Sequence, residues 1–112
     1  MRQGEIWVVN LDPTIGAEIQ KTRPCVIVND DAVGVLPLKI IAPVTDYKDK
    51  FQDVPWMVTL TPGHDNGLDK KSVIDLFQVR SVAEERLVER VGMIGPEQML
   101  SAKAALKVVF GC

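Results

Sequence analysis

EIWVVNL, residues 5–11, is apolar on both of its faces. Side chains alternate along an extended chain, so Ile6 and Val8 point one way while Trp7, Val9 and Leu11 point the other. A half-exposed sheet alternates apolar with polar residues, so a strand apolar on both faces is expected to be covered on both sides. The run is rich in β-branched and aromatic residues and stops at the turn pair Asp12-Pro13. Further short runs follow. CVIVN begins at Cys25 and ends at Asp30-Asp31, and LKIIAPVT begins at Leu38 after Gly34 and Pro37. VPWMVTL, 54–60, puts Val54, Trp56, Val58 and Leu60 on one face of a strand. The loop TPGHDNG, 61–67, breaks the chain, and SVIDLFQV from Ser72 and RLVERVGMI from Arg86 complete the set. Short strands at this spacing predict a mainly β fold, a small and strongly bent barrel or sandwich.

The carboxyl end changes period. In GPEQMLSAKAALKVVFG, Pro96 suits the first helical position and Glu97 the first turn. Met99, Ala102, Leu106 and Val109 recur at three- and four-residue spacing, and Gly111 is a stop. One amphipathic helix of about 14 residues, laid against the barrel, is expected.

With 112 residues the chain is expected to be one domain, 1–112, large enough for a core without metal or disulfide staples. Apolar residues make up 46% and charged residues 25%, ordinary for a globular protein. Formal net charge is −2, so a polyanion has to be held by a local groove rather than by the field of the whole molecule. Cys25 and Cys112 have no paired spacing, which argues for a reducing compartment and against a zinc site. No run spans a bilayer or reads as a signal peptide, so the cytoplasm is the expected location, with no membrane partner.

A single histidine, His64, lies in a loop, and a solvated loop residue is the simpler reading than a catalyst. A triad drawn from Ser72, His64 and Asp65 lacks a nucleophile elbow, and no glycine-rich phosphate cradle opens a helix. Cys25 is most simply a core residue, and Trp7 and Trp56 core or interface anchors. DYKDKFQD, 46–53, reads equally as a solvated loop or as a lid whose Tyr47, Phe51 and lysines touch single-stranded nucleic acid. Arg23 precedes Pro24 at the mouth of a strand, and its guanidinium can grip a phosphate with two parallel hydrogen bonds. A surface ion pair with Glu18 is the plain alternative.

Laid end to end, these residues resemble the MazF/PemK family of toxin endoribonucleases of toxin–antitoxin pairs. The resemblance begins with GEIWVVNLDPTIGAEIQKTRPCVIV, where LDP, GxE and RP stand at the family's spacing. It continues through IIAPVT, GLDKKSVIDLFQVRSV and RLVERVGMI. After VIVND, where many members carry a longer connection, this chain has the compact DAVGVLP. The resemblance implies an SH3-like barrel with a carboxyl-terminal helix, the fold shared by MazF, PemK and CcdB toxins. It implies a homodimer, metal- and cofactor-independent cleavage of single-stranded RNA at short sequences, and a cognate antitoxin. It places the catalytic arginine at Arg23, the catalytic threonine at Thr45 and the glutamate of GxE at Glu18, with residues 12–22 as a loop flanking the site. A non-catalytic toxin of the same fold, binding a protein target as gyrase poisons do, is the alternative. The ending KVVFGC lacks the tryptophan such toxins use.

RNA carries its own nucleophile, the 2′-hydroxyl. Attack on the adjacent phosphorus leaves a 2′,3′-cyclic phosphate and a 5′-hydroxyl. Arg23 suits stabilisation of the charge that develops on phosphorus, but a guanidinium is a poor general base near neutrality. Thr45 offers a hydroxyl to orient a non-bridging oxygen. Glu18 is the more natural base, and burial beneath the loop would strengthen it. Lys21, Lys48, Lys50 and Arg80, with Arg23, are the expected RNA-binding groove, and affinity is expected to fall steeply with added salt. For Arg80 an exposed strand-end salt bridge is an equal explanation.

Overall fold

The computed structural model describes residues 1–34 and 36–112; Val35, within the DAVGVLP connection, lies outside the described residues. Among the described residues, seven strands and one α-helix follow in chain order: β1 (Glu5–Asn10), β2 (Thr22–Ile27), β3 (Leu38–Asp46), β4 (Met57–Leu60), β5 (Ser72–Asp75), β6 (Arg80–Ala83), β7 (Leu87–Met93) and α1 (Pro96–Phe110). Every pairing is antiparallel, in the order β4-β5-β3-β2-β1-β7, with β6 also on β3. Nine residues long, β3 is the pivot. Its first half pairs β6, Leu38 opposite Ala83, and its last residues pair β5, Thr45 opposite Val73. One strand serving two partners on the same edge has to bend, which curls the sheet into the small barrel the short strands predict.

The two-faced character of β1 is explained by two cores. Ile6 packs with Val26, Val28, Ala42, Val44, Ile74 and Leu76 beneath α1, whose Ala102 and Ala105 are buried there. Val9 and Leu11 pack on the opposite face with Cys25, Ile27, Ile41, Val82 and Leu87. Pro96 opens α1, and Gly111 ends it at φ 72°. The Gly111 and Cys112 N–H groups donate back to Val108 and Lys107 carbonyls. Such a left-handed cap satisfies carbonyls that the helix end leaves open.

Three boundaries differ from the expectation. Thr22 rather than Cys25 starts β2, and Pro24 lies inside it, opposite Val8 of β1. The pairing of β2 with β3 begins only at Cys25, so the missing proline donor falls where β2 still has a free edge. SVIDLFQV is not one strand: the Asp75 carboxylate accepts the Phe77 N–H at 3.1 Å and turns Leu76–Gln78 into a 3₁₀ segment. Val54 and Trp56 precede β4, so only Val58 and Leu60 of the expected face are buried strand residues. Among the described residues no helix is long and apolar enough to cross a membrane.

Candidate functional site

Residues 11–21 form a loop pinned at many points by groups reaching in from elsewhere. Leu11 N–H donates to the Lys21 carbonyl (2.9 Å), and Lys21 N–H to Asp12 Oδ1 (2.9 Å). Lys21 holds the left-handed conformation, φ 70°, at the exit of this loop. Arg86 donates to the carbonyls of Asn10 (3.1 Å) and Asp12 (2.6 Å). Arg80 donates to the Leu11 carbonyl (3.0 Å), and Ile19 N–H to Gln78 Oε1 (2.7 Å). A cavity of about 340 Å³ opens between this loop and the segment after β5. It is lined by Glu18, Ile19, Pro43, Phe77, Gln78 and Arg80, among others.

Arg23 and Thr45 lie just past the last residues that β2 and β3 pair with each other. The β2–β3 pairing sets Ile27 opposite Ile41 and Cys25 opposite Pro43. The pairing stops there; the same register, extended by one more such step, would align Arg23 with Thr45. Pro43 lines the cavity, whereas Arg23 and Thr45 are not among its lining residues. Both side chains are half-buried. Arg23 Nε donates only a long bond, 3.4 Å, to the Gln20 carbonyl. Among the described residues no ion pair joins Arg23 to Glu18, so the plain alternative for this arginine does not hold.

Glu18 stands at the cavity but is exposed, and its Oε1 accepts the Ile15 N–H at 2.6 Å. The burial expected for it is therefore not found: the short loop turns its chain back on itself and leaves the carboxylate at the rim. Among the described residues Arg80 has no salt-bridge partner. Its half-buried guanidinium is turned inward to the Leu11 carbonyl and serves the loop. Lys21, Lys48 and Lys50 are exposed, the last two just beyond Thr45. Lys50 Nζ lies 5.5 Å from the Phe51 ring centroid. DYKDKFQD is neither a structureless loop nor a lid with free rings. Asp49–Phe51 is a 3₁₀ turn, Lys71 Nζ covers the half-buried Tyr47 ring at 4.0 Å, and Phe51 is half-buried beside α1.

The family model described as PemK-like, MazF-like toxin of type II toxin-antitoxin system matches residues 2–110. The chain belongs to this toxin family. Endoribonuclease MazF9 of Mycobacterium tuberculosis is 32% identical over 114 residues, covering 96% of this chain and 94% of the relative. Endoribonuclease MazF of Staphylococcus epidermidis is 32% identical over 112 residues, covering 99% and 92%. MazF from Deinococcus radiodurans superimposes with a TM-score of 0.80 at 23% identity, covering 100% of this chain and 97% of that one. An endoribonuclease in complex with its cognate antitoxin from a mycobacterial species gives 0.78 at 16% identity, covering 99% and 95%. The mainly antiparallel sheet with one carboxyl-terminal helix is the fold of these toxins.

Gln78, Phe77 and Arg86 also belong to the surroundings of this site, through contacts that no sequence motif announces. Gln78 and Arg86 act through bonds to a loop far away in the chain, and no local pattern marks them. Cys25 behaves as expected: burial pushes its thiol up to about 12, with Arg80 opposing weakly, and it is a core group. Burial also pushes the Asp75 carboxyl up, and hydrogen bonds from Phe77 and Gln78 only partly offset this. A carboxyl whose folded-state pKa is raised binds its proton more tightly in the folded chain. Its contribution favours folding at low pH and is lost as pH rises from about 4 through the raised value. Asp75→Asn, which keeps an acceptor for the Phe77 N–H, is expected to flatten the decline of unfolding free energy across that window. Urea titrations from acid to neutral pH measure it; parallel wild-type and variant curves would contradict the burial argument.

Proposed function

We propose that this endoribonuclease toxin cleaves single-stranded RNA by attack of the 2′-oxygen on the adjacent phosphorus, without a metal or cofactor. The new bond is 2′-oxygen to phosphorus and the broken one is phosphorus to 5′-oxygen. The ends are a 2′,3′-cyclic phosphate and a 5′-hydroxyl. Residues 1–112 act as one catalytic domain, in the cytoplasm, as a homodimer controlled by a cognate antitoxin.

One feature supports the reading: the β2–β3 register, which ends at Cys25 opposite Pro43 on the cavity wall, would align Arg23 with Thr45 when extended by one step. Arg23 is the phosphate clamp, a fixed charge aimed where negative charge grows. It also stands as the group that protonates the leaving oxygen. Thr45 orients a non-bridging oxygen through its hydroxyl. Glu18, at the rim of the same cavity, is assigned as proton acceptor from the 2′-hydroxyl. Lys21, Lys48, Lys50 and Arg80 supply positive charge along the path of the strand, with Arg80 acting mainly through its hold on the loop. The exposed apolar side chains of α1, Leu100, Val108 and Phe110, together with Val33, Leu36, Leu38 and Ile40, favour a covered surface and hence a dimer.

Incubating the protein with RNA in excess chelator, and mapping both new ends, tests the reaction. Cleavage with cyclic phosphate ends is expected, and a single 2′-deoxy substitution at the mapped cut is expected to stop it. Cutting that survives the substitution would exclude the 2′-oxygen as nucleophile.

A further inference from the structure

Two aromatic rings stand in solvent beside the cavity. Phe77 is 68% exposed and Trp56 37%. Their centroids are 6.0 Å apart and their planes tilted by 56°. An exposed ring of this size forfeits the gain of burial, yet the backbone here holds it outward. Leu76, between Asp75 and Phe77, is fully buried, and its N–H donates to the Trp56 carbonyl at 3.0 Å. The Asp75 carboxylate fixes the Phe77 N–H, and Gln78 is bonded to Ile19 across the cavity. With its neighbours tied on both sides, Phe77 has no inward position available, and its ring lines the cavity with Glu18, Pro43 and Arg80. Other aromatic rings nearby are engaged: Tyr47 under Lys71, Phe51 beside α1, and Trp7 through its indole N–H to Glu5.

We propose that Phe77, backed by Trp56, is a platform on which one unpaired base of the RNA stacks when the strand occupies the cavity. This deepens the endoribonuclease reading and rests on it. Every base presents a π-face, so such a platform selects strand state rather than sequence. A base in a duplex is already stacked and cannot reach the ring, which makes the platform a filter for single strands. Arg80, on the cavity wall, adds positive charge next to a substrate that carries one phosphate per base. An apolar side chain of a protein partner is the competing occupant. It differs in one testable respect: a leucine in place of Phe77 would serve it, whereas stacking requires an aromatic ring.

The test uses RNA containing the cut mapped by end analysis, and three variants: Phe77→Ala, Phe77→Leu and Phe77→Tyr. The Phe77 side chain is exposed and makes none of the bonds described, so these changes leave the fold in place. Phe77→Ala and Phe77→Leu are expected to raise KM about tenfold with kcat changed less than about twofold, and Phe77→Tyr to restore wild-type KM. In a Trp7→Phe background, where Trp56 is the remaining tryptophan, a 2′-O-methyl oligomer spanning the cut is expected to quench emission on binding. Wild-type KM in Phe77→Leu, wild-type KM in all three variants, or binding without quenching would overturn the platform while cleavage itself persists. Absence of cleavage by the wild-type protein would instead remove the endoribonuclease reading beneath it.

Discussion

Arg23→Ala is expected to lower single-turnover RNA cleavage by about 10²- to 10³-fold, the usual loss when one preorganised group facing developing charge is removed. Its half-buried side chain makes a single long hydrogen bond, to the Gln20 carbonyl, so little stability rides on it. The loss should therefore appear in the rate and not in the unfolding midpoint. Arg23→Lys separates charge from shape. Lysine keeps the charge but not the planar fork that binds two phosphate oxygens at once, so an intermediate rate is expected. Thr45→Val, nearly the same in volume, removes only the hydroxyl and is expected to cost less than the arginine does. Glu18→Gln tests the remaining assignment. The exposed carboxylate already accepts the Ile15 N–H through Oε1, and glutamine can keep that bond. If Glu18→Gln cleaves normally while Arg23→Ala is inactive, the proton acceptor lies elsewhere. If Arg23→Ala cleaves within threefold of wild type, the site itself is misplaced.

The parts of this fold most legible in the sequence are those whose burial repeats with a fixed period. Apolar residues on both faces of residues 5–11 announced two cores, and Ile6 and Val9 lie in different ones. Pro96 and Gly111 bracket a helix that runs from Pro96 to Phe110. Periodicity misleads where a single polar group overrides it. Asp75 interrupts an unbroken apolar run because its carboxylate captures the Phe77 N–H, and Val54–Trp56 fall outside β4 because Met57 N–H closes a turn on the Val54 carbonyl. Any alignment of Arg23 with Thr45 depends on register, which strand composition alone does not specify. Their assignment as a pair came instead from the family motif. The cavity was not legible at all. It exists because Ile19 bonds to Gln78 and Leu11 to Arg80, contacts between segments far apart in the chain. The glycines are the other hidden layer. TPGHDNG reads simply as a loop, but its last residue and Gly92 of β7 are where two pieces of backbone touch.

Gly67→Ala is expected to destabilise the protein far more than Gly16→Ala, although both glycines hold the same left-handed conformation, φ 67° and 60°. A side chain in that region costs roughly 1–2 kcal/mol whatever surrounds it. At Gly16 nothing lies within 4 Å of an added Cβ, so that cost is the whole effect. At Gly67 the added carbon meets the Val91 carbonyl oxygen and side chain. Backbone of a paired strand cannot step aside as a flexible side chain does, and overpacking adds about 1–3 kcal/mol. The sum for Gly67→Ala is on the order of 3 kcal/mol, against about 1 for Gly16→Ala. Gly92→Ala supplies the complementary case. Its backbone is not left-handed, but its Cβ would meet the Asp65 carbonyl oxygen and the Asn66 backbone, so overpacking acts there without conformational strain. That contact is also the one that fastens the loop, since Met93 N–H donates to the Asp65 carbonyl at 2.9 Å. Both Gly67→Ala and Gly92→Ala should thus loosen the same loop-to-β7 junction and, made together, cost less than the sum of the two. Urea unfolding of the three single variants and the double variant measures this. Equal losses at Gly16 and Gly67 would mean the junction yields freely, and strict additivity would mean the two glycines do not share it.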